Sequence, residues 1–559
     1  MTDLAQFPSQ GDLLKFVYNA TGIIPSKSKF IIDVEIDNKS LHKSLNRLAR
    51  EEGDFLKSFE EHANEFRSAI YGLFSNTMYS DTLSDPLIEI FQVYTQTVLT
   101  DHTYLEKKES LLYLIHHIFL QRATISIFKY QHYYSAFLDA SLSPKSKFWF
   151  LEYESTTPLA CVMNWIYDCE NKSLEVFHDP SEFSADESID KIDKDLANVR
   201  NWLSGTVKLP PFSNILDVFH RAFKAHKIAG DKKDRYIFFL FIARFATYCL
   251  DSLIESYGEK EVVQILNKLE LYLGLINQDY SDLCSTFESK RTNRMTDIEK
   301  SMGKSQTEMF NTEFFLDKSM EYGDFVAHQL NNIQAEYIKA SSRDTKPQGE
   351  SIHDIHQEIL KQLSNSSPNT SPYKFVIKFF QDRLVPPNHE GYTENIKNCI
   401  YAYDVMKQRY NHQQWINEYY EVGNDSVYPW LVPWVDGMKS FYSRDFELSL
   451  SSMRKAFETI RYSAGNRQIK FIEDYMLVAL AQPNKNGNIQ GWKDFKLAFK
   501  WGVFMNHFDA FPEFYTDVSD KELKVIFKDK KQSYKSFSGS SFDSKVLAKL
   551  LFHWKYDNQ

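Results

Sequence analysis

The clearest pairing of chemically capable side chains is an arginine and a histidine on one predicted helix. Arg221 and His226 lie within residues 215–228, where apolar residues recur at helical spacing. An imidazole can accept or donate a proton near neutral pH, and a guanidinium can hold the charge of a phosphate through paired hydrogen bonds. The pair therefore predicts a candidate site for cleavage of a phosphodiester.

The order of these residues, an arginine, four residues and then a histidine, resembles the RxxxxH signature of the HEPN ribonucleases. The resemblance implies a metal-independent site at a dimer interface, with RNA as the substrate, of the kind found in bacterial toxin and antiviral systems. Ala222 departs from the family, which usually has a polar residue after its arginine. In this alternative interpretation Arg221 and His226 are catalytic.

Two further histidine pairs favour structural roles. His353 and His356 share a short predicted helix, where a solvated linker helix and a metal site are the two interpretations, but the sequence places no further ligands beside them. His116 and His117 are adjacent, so on a helix their side chains diverge by about 100° and cannot both reach one ion. We therefore expect no metal ligands in this chain.

Other sequence signatures of enzymes are missing. The chain contains no GxxxxGK[ST], GxGxxG, HExxH or GxSxG pattern. This disfavours ATPase, kinase and dinucleotide-binding functions, and we expect no cofactor. Arrangements of Ser, His and Asp or of Cys and His stay open, because their members meet only in space.

The elements that would position these residues are predicted to be helical almost throughout. Apolar residues recur every three or four positions, typical of amphipathic helices, in 41–74, 87–137 with a break near 101–103, 215–228, 234–257 and 259–275. Only 30–36 (FIIDVEI) is typical of a strand, and one short strand cannot form a sheet. We predict an all-α fold, either a multi-helix bundle or a solenoid.

Two stretches rich in Ser, Asn and Pro, 341–351 and 364–372, are typical of linkers. They predict an N-terminal helical domain at 1–340, a linker with a short helix at 341–372, and a C-terminal helical domain at 373–559.

The C-terminal part contains a repeated pattern of small residues where two antiparallel helices would touch and of aromatic residues between them. In the first copy these are Gly437, Phe441, Phe446, Ser449 and Ala456, and in the second they are Ala479, Trp492 and Gly502. The pattern resembles degenerate tetratricopeptide repeats over about residues 430–505. Ser440 departs from the family, as does the lack of a proline after Ala456. The resemblance implies a superhelical stack that binds a protein or peptide.

The segment Tyr428–Trp434 (YPWLVPW) contains two prolines and two tryptophans, and we expect it to be extended and exposed. Trp430, Trp434 and Tyr442 are the predicted partner-binding residues. The main functional prediction is a non-enzymatic protein that binds a protein or peptide as an adaptor, sensor or regulatory subunit.

The bulk composition limits the remaining functions. The 559 residues carry a formal net charge of −10, which disfavours general affinity for nucleic acid and for anionic membranes. The stretch 236–250 is shorter than a bilayer span and contains Arg244, and Met1–Gln10 lacks the features of a secretory signal. We therefore expect a cytoplasmic protein that does not enter a membrane, whereas its oligomeric state stays open.

Two charged stretches allow alternative interpretations. Residues 168–195 are strongly acidic and predict a solvated loop or an acidic docking loop. Residues 520–559 combine lysines with aromatic residues, which predicts either weak RNA binding or a terminal amphipathic helix at 542–553 that closes the fold. The aromatic share of 15% is high, and most of these rings fall at positions where helices are expected to pack.

Overall fold

A computed structural model describes thirteen ranges of the chain: 7–23, 38–98, 107–134, 156–178, 189–303, 318–333, 352–364, 374–382, 392–406, 409–465, 467–485, 489–505 and 518–536. Within these ranges the α- and π-helix are the only repeating elements, so the predicted all-α fold is confirmed. The solenoid arrangement stays a prediction. The segments 30–36 and 542–553 lie outside the described residues.

In the first part of the chain, up to residue 333, helices that are adjacent in sequence pack against each other, and some of them also pack against helices that are distant in sequence. They are α1 (Gln10–Thr21), α2 (Asn38–Ala49), α3 (Phe55–Tyr71), α4 (Thr77–Val98), α5 (Lys107–Leu114), α6 (Leu120–Lys129), α7 (Pro158–Glu170), α8 (Leu174–Phe177), α9 (Ile189–Leu203), α10 (Phe212–Ala225), α11 (Gly230–Tyr257) and α12 (Glu259–Met302). The π-helical turns Ile115–Phe119 and Tyr130–Tyr134 follow α5 and α6, and residues 318–333 are also helical.

The second part continues in the same manner. Its helices are α13 (Ile352–Ser364), α14 (Lys374–Gln381), α15 (Tyr392–Met406), α16 (His412–Glu421), α17 (Asn424–Val427), α18 (Leu431–Tyr442), α19 (Phe446–Ile460), α20 (Arg467–Ala481), α21 (Trp492–Phe504) and α22 (Asp520–Ser536).

The apolar stripe at 41–74 was expected to be one helix, and this prediction is wrong because the chain turns back between α2 and α3. Glu51 and Gly53 have φ angles of 54° and 77°, in the left-handed region that an α-helix cannot pass through. The Asp54 carboxylate then accepts a hydrogen bond from the backbone N–H of Lys57 at 3.4 Å and caps α3. As a result, α2 and α3 pack against each other and against α1.

One hydrophobic core contains buried residues from both ends of the chain. The rings of Phe55 and Trp501 lie 6.0 Å apart, and the guanidinium of Arg461 lies 5.1 Å from the centroid of Phe55 and 4.8 Å from that of Phe457. Arg461 also forms an ion pair with Glu51. The helices on the two sides of the predicted linker therefore share a core, and the division into domains stays a prediction.

The apolar stretch at 236–250 lies in α11 (Gly230–Tyr257), which begins four residues before the predicted helix at 234–257 and ends where it was predicted to end. α11 has 28 residues. By length and composition alone, α11 and the helical stretch Ser110–Tyr133 could each cross a membrane. In the fold, 50% of the most apolar window of α11 and 61% of that of Ser110–Tyr133 are buried. Arg244 in α11 is buried, and its guanidinium donates to the backbone carbonyls of Asn19, Ala20 and Pro210. Whether the chain meets a membrane stays a prediction.

Candidate functional site

The helix that carries Arg221 lies close to its predicted bounds. α10 spans Phe212–Ala225, against the predicted 215–228, and it packs against α11. It ends at His226, because Lys227 has a left-handed φ of 54° and the N–H of Ile228 turns back to the carbonyl of Phe223 at 2.8 Å. This geometry places Arg221 inside the helix and His226 at its C-terminal end.

The guanidinium of Arg221 is held by a carboxylate from a neighbouring helix. Its Nε donates to Asp195 Oδ2 at 2.7 Å, and a second nitrogen contacts the same oxygen. Their side chains are only 15% and 13% exposed, so this is a largely buried ion pair. Asp195 lies at the end of the acidic stretch 168–195, and this member of the stretch therefore balances an internal charge.

The imidazole of His226 is bonded at both ring nitrogens. Nε2 lies 2.9 Å from the carbonyl oxygen of Phe177, and Nδ1 contacts the ammonium of Lys172. Because a carbonyl only accepts and an ammonium only donates, the ring fits here as the neutral tautomer with its proton on Nε2. The ring also stacks on that of Phe177, with centroids 5.1 Å apart.

A second histidine, His178, completes the cluster. It is 2% exposed, and its Nε2 lies 3.2 Å from the hydroxyl of Tyr167. Burial lowers the pKa of His178 to about 3, and the positive charge of the nearby Arg221 lowers it further. Sequence reasoning missed His178, which directly follows the short helix α8 inside the acidic stretch and belongs to no spacing pattern.

The structure thus brings Arg221 and His226 into one cluster with His178, but each reactive group already has a partner. A phosphate would have to displace Asp195 from Arg221, and a proton transfer would have to displace a partner of His226. The catalytic interpretation of Arg221 and His226 stays a prediction.

The C-terminal hairpin, α18 and α19, contains the predicted partner-binding residues. The two helices approach closely where the repeated pattern has its small residues: a Cβ on Gly437 would lie 2.8 Å from Met453 Sδ, and Ser449 Oγ donates to the carbonyl of Gly437 at 2.7 Å. The predicted close packing at these positions is confirmed. Membership of the tetratricopeptide family stays a prediction.

The expectation that Trp430 and Trp434 are exposed is wrong. They are 0% and 2% exposed, and Trp434 Nε1 donates to Asp474 Oδ2 at 3.1 Å. The segment is not extended, because Pro433 lies in the first turn of α18, where a backbone N–H has no partner within the helix and a proline is tolerated. These two indoles anchor the hairpin, and a partner cannot reach them in this fold.

Tyr442, the third predicted residue, is exposed. It is 40% exposed at the end of α18, and Leu448, 54% exposed, lies in the first turn of α19. Because only residues 443–445 separate the two helices, both side chains lie at the same end of the hairpin. Sequence reasoning missed Leu448, although a leucine three residues after a capping aspartate at a helix start is a visible signal.

The two predicted histidine pairs are represented in the described residues by His116 and His356, and both rings are buried against neighbouring side chains. Burial lowers the pKa of His116 to about 4, with a further contribution from Lys268, and the ring of His356 stacks on Phe380 with centroids 4.8 Å apart. Among the residues that the structure describes, no three His, Cys, Asp or Glu side chains converge as a metal site would require. The expectation of no metal stays a prediction.

No protein-family model matches this chain, and no curated protein and no solved structure matches it. The function must therefore be inferred from the geometry of the chain itself.

Proposed function

We propose that the chain is a helical scaffold that binds a protein or peptide segment at the turn end of the α18–α19 hairpin. The observation that carries this proposal is the exposure of Tyr442 and Leu448 at the same end of the hairpin, whose other apolar side chains are buried or half-buried. Large apolar side chains that remain exposed at one end of a hairpin favour an interaction surface.

The rigidity of the hairpin supports this function. Trp430 and Trp434 fill its base, and the Ser449–Gly437 hydrogen bond fixes the spacing of the two helices. A binding surface on a rigid element loses little conformational entropy when the partner docks. The two buried tryptophans therefore contribute to binding by positioning the surface rather than by contact.

The polar rim indicates the kind of segment that fits. Arg444 is exposed in the turn, and Glu447 forms an ion pair with Lys485 whose side chains are 65% and 59% exposed. Charges of both signs therefore lie within two residues of Tyr442 or Leu448 in the sequence. The preferred ligand is thus a segment with one or two large apolar side chains flanked by polar residues.

Site-specific photo-crosslinking tests this proposal. A benzophenone amino acid at position 442 should capture one partner from the native cell, whereas the same group at Tyr420, which is 58% exposed on α16, should not. In the 442 background, Leu448→Ser should lower the yield about tenfold. Equal yields at positions 442 and 420, or no product at 442, would contradict the proposal.

Metal-independent cleavage of RNA is the second candidate function. It is supported by the gathering of Arg221, His226 and His178, since a guanidinium beside imidazoles has the composition that phosphodiester cleavage needs. The ion pair of Arg221 with Asp195 stands against it.

An RNA degradation assay with a chelator present tests this second candidate. Cleavage by the purified chain should be lost in His226→Ala and kept in the control His412→Ala, whose ring pairs with Asp436 at 2.8 Å near the surface. Intact RNA with the unmodified chain, or equal cleavage by the two variants, would exclude a role for His226.

A further inference from the structure

A serine, a histidine and a glutamate from two neighbouring helices form a continuous hydrogen-bonded relay. Ser44 Oγ on α2 lies 2.7 Å from His62 Nε2 on α3, and His62 Nδ1 lies 2.9 Å from Glu65 Oε2, one helical turn later. These contacts have the order and the lengths of a nucleophile, a general base and the carboxylate that orients the base.

The tautomer that these partners impose is the one that nucleophilic catalysis needs. An ionised Glu65 carboxylate only accepts, so Nδ1 of a neutral His62 carries the ring proton. Nε2 is then left as an acceptor, and the hydroxyl of Ser44 donates to it. In this state the imidazole is ready to take the serine proton.

The three side chains differ in how much of each is exposed to solvent. The side chain of His62 is only 11% exposed, that of Glu65 is 34% exposed, and Ser44 is half-buried. The base is therefore protected from bulk water, while part of the serine remains exposed. The exposed part of Ser44 is the route by which a substrate would reach its hydroxyl.

The base is also held in place by α1. The hydroxyl of Tyr18 donates to the backbone carbonyl of His62 at 2.7 Å, and its ring packs edge-on against Phe66 with centroids 5.1 Å apart. Burial and the charge of Glu65 raise the pKa of Tyr18, so the hydroxyl stays a donor. Such support is what a preorganised base requires.

We propose that Ser44 is a nucleophile that cleaves carboxylic esters, with His62 as its general base and Glu65 as the positioning residue. Ser44 Oγ attacks the ester carbonyl carbon while its proton passes to His62 Nε2. The C–O bond to the leaving alcohol breaks, and the alcohol takes that proton. Water then adds to the acyl-serine, giving the carboxylic acid and restoring the hydroxyl.

The position of Ser44 narrows the substrate class. It lies inside α2, where its backbone N–H is bonded to the carbonyl one turn earlier and cannot serve as an oxyanion donor. Oxyanion donors contribute about 10²–10³-fold to such reactions. We therefore assign the site to aryl and other activated esters, whose leaving groups need less stabilisation, rather than to amides.

A fluorophosphonate probe tests the nucleophile directly. Ser44 Oγ displaces fluoride at phosphorus, and the hydroxyl proton passes to His62. The phosphonate ester formed on Ser44 is stable, so the labelled peptide identifies the serine. The expected adduct lies on the tryptic peptide 44–47, which contains one serine. It should be lost in Ser44→Ala and kept in the control Ser58→Ala, a half-buried serine on α3.

Two further variants separate catalysis from structure. A general base contributes about 10²–10⁴-fold, so His62→Ala should slow labelling and hydrolysis of 4-nitrophenyl acetate at least about 100-fold, with partial rescue by added imidazole. Glu65→Gln should lower kinact about tenfold while KI stays the same. Circular dichroism checks that each variant is folded.

Three results would overturn the proposal. They are an adduct that is no faster at Ser44 than at other serines, a folded His62→Ala variant that labels at the unmodified rate, and a Glu65→Gln variant whose kinact equals that of the unmodified chain. None of these results depends on partner capture at Tyr442, so the two proposals can fail separately.

Discussion

His62 and His226 are both hydrogen bonded through both ring nitrogens, yet the bonds permit different chemistry. His62 lies between a hydroxyl that can lose a proton and a carboxylate that steadies the ring, whereas His226 lies between an ammonium and a backbone carbonyl. The first arrangement can pass a proton to a substrate, and the second holds its proton in place. The partners of a histidine, more than its spacing from an arginine, indicate what it can do.

The charged groups beside the two histidines also differ in how deeply they are buried. The Arg221–Asp195 pair beside His226 is largely buried, while the Glu65 carboxylate beside His62 is one-third exposed. Breaking a buried pair is costly, because the charge left behind has neither water nor a partner. The cluster around His226 therefore resembles a structural network. The relay at His62 resembles a reactive site, because its charged group can change partners at little cost in stability.

The largest expected effect comes from breaking the buried ion pair. Asp195→Ala should lower the free energy of unfolding by about 3–5 kcal/mol, because the guanidinium of Arg221 would be left buried and unpaired. Urea unfolding followed by circular dichroism measures this. Asp436→Ala, whose partner His412 lies near the surface, is the matched control. A loss below about 1 kcal/mol in unfolding free energy would show that water reaches the cluster around His226.

Acid should weaken the same cluster. The folded pKa of His178 is about 3, against an ordinary value of 6.5, so between these values the unfolded chain binds the additional proton. Its contribution to stability is complete above pH 6.5 and is lost as the pH falls toward 3, at about 1.4 kcal/mol per pH unit.

Unfolding free energies at pH 7.0, 5.5 and 4.5 test this titration. His178→Gln should make the pH dependence shallower, while His116, whose pKa is lowered to about 4, retains its own share of the acid sensitivity. The same slope in the variant and in the unmodified chain would show that His178 does not titrate as its burial requires.

The relay at His62 should be less important for stability than for reaction. Ser44→Ala removes one hydrogen bond of a half-buried side chain, and we expect a loss of about 1 kcal/mol or less in unfolding free energy. The same variant should abolish labelling by the fluorophosphonate probe. A loss above about 3 kcal/mol would place Ser44 in a structural network like that of His226.

The smallest effect is expected outside both clusters. Tyr442→Ser should change the unfolding free energy by no more than about 0.5 kcal/mol, because the side chain is 40% exposed and lies at a helix end. Thermal unfolding of the purified variant gives the baseline for the other substitutions. A larger loss would mean that this side chain stabilises the hairpin.

Features that depend on neighbouring residues were predictable from the sequence. The helix that carries Arg221 lies within three residues of its expected bounds, and Gly258, the residue between the predicted helices 234–257 and 259–275, ends α11 with a φ of 84°. The close approach at Gly437 followed from the small residue alone. Each of these features is fixed by backbone conformation or by side-chain size within one or two turns.

Contacts across turns were not predictable in the same way. On one continuous helix, Ser44 and His62 would lie about 27 Å apart, because each residue adds 1.5 Å. The turn at Glu51–Gly53 instead brings their side chains within 2.7 Å. The apolar spacing continues through that turn, so periodicity concealed it, and the relay could not be found without the backbone.

The same difference explains the other errors. Asp195 and Arg221 are 26 residues apart and on different helices, and no local pattern pairs them. The prolines beside Trp430 and Trp434 suggested an extended segment, but the first turn of a helix accepts proline as readily. In the first case tertiary packing sets the pairing, and in the second case the same prolines are compatible with two local conformations.

The packing of α1 onto the C-terminal helices has a consequence for synthesis of the chain. The N–H of Gln10 donates to the hydroxyl of Tyr462 at 3.3 Å, across 452 residues of sequence. At roughly 5–20 residues per second, a ribosome needs about 20–90 s to make that interval. During this time the apolar faces of α1–α3 lack their final neighbours, so the nascent chain should depend on chaperones that shield them until α19–α21 emerge.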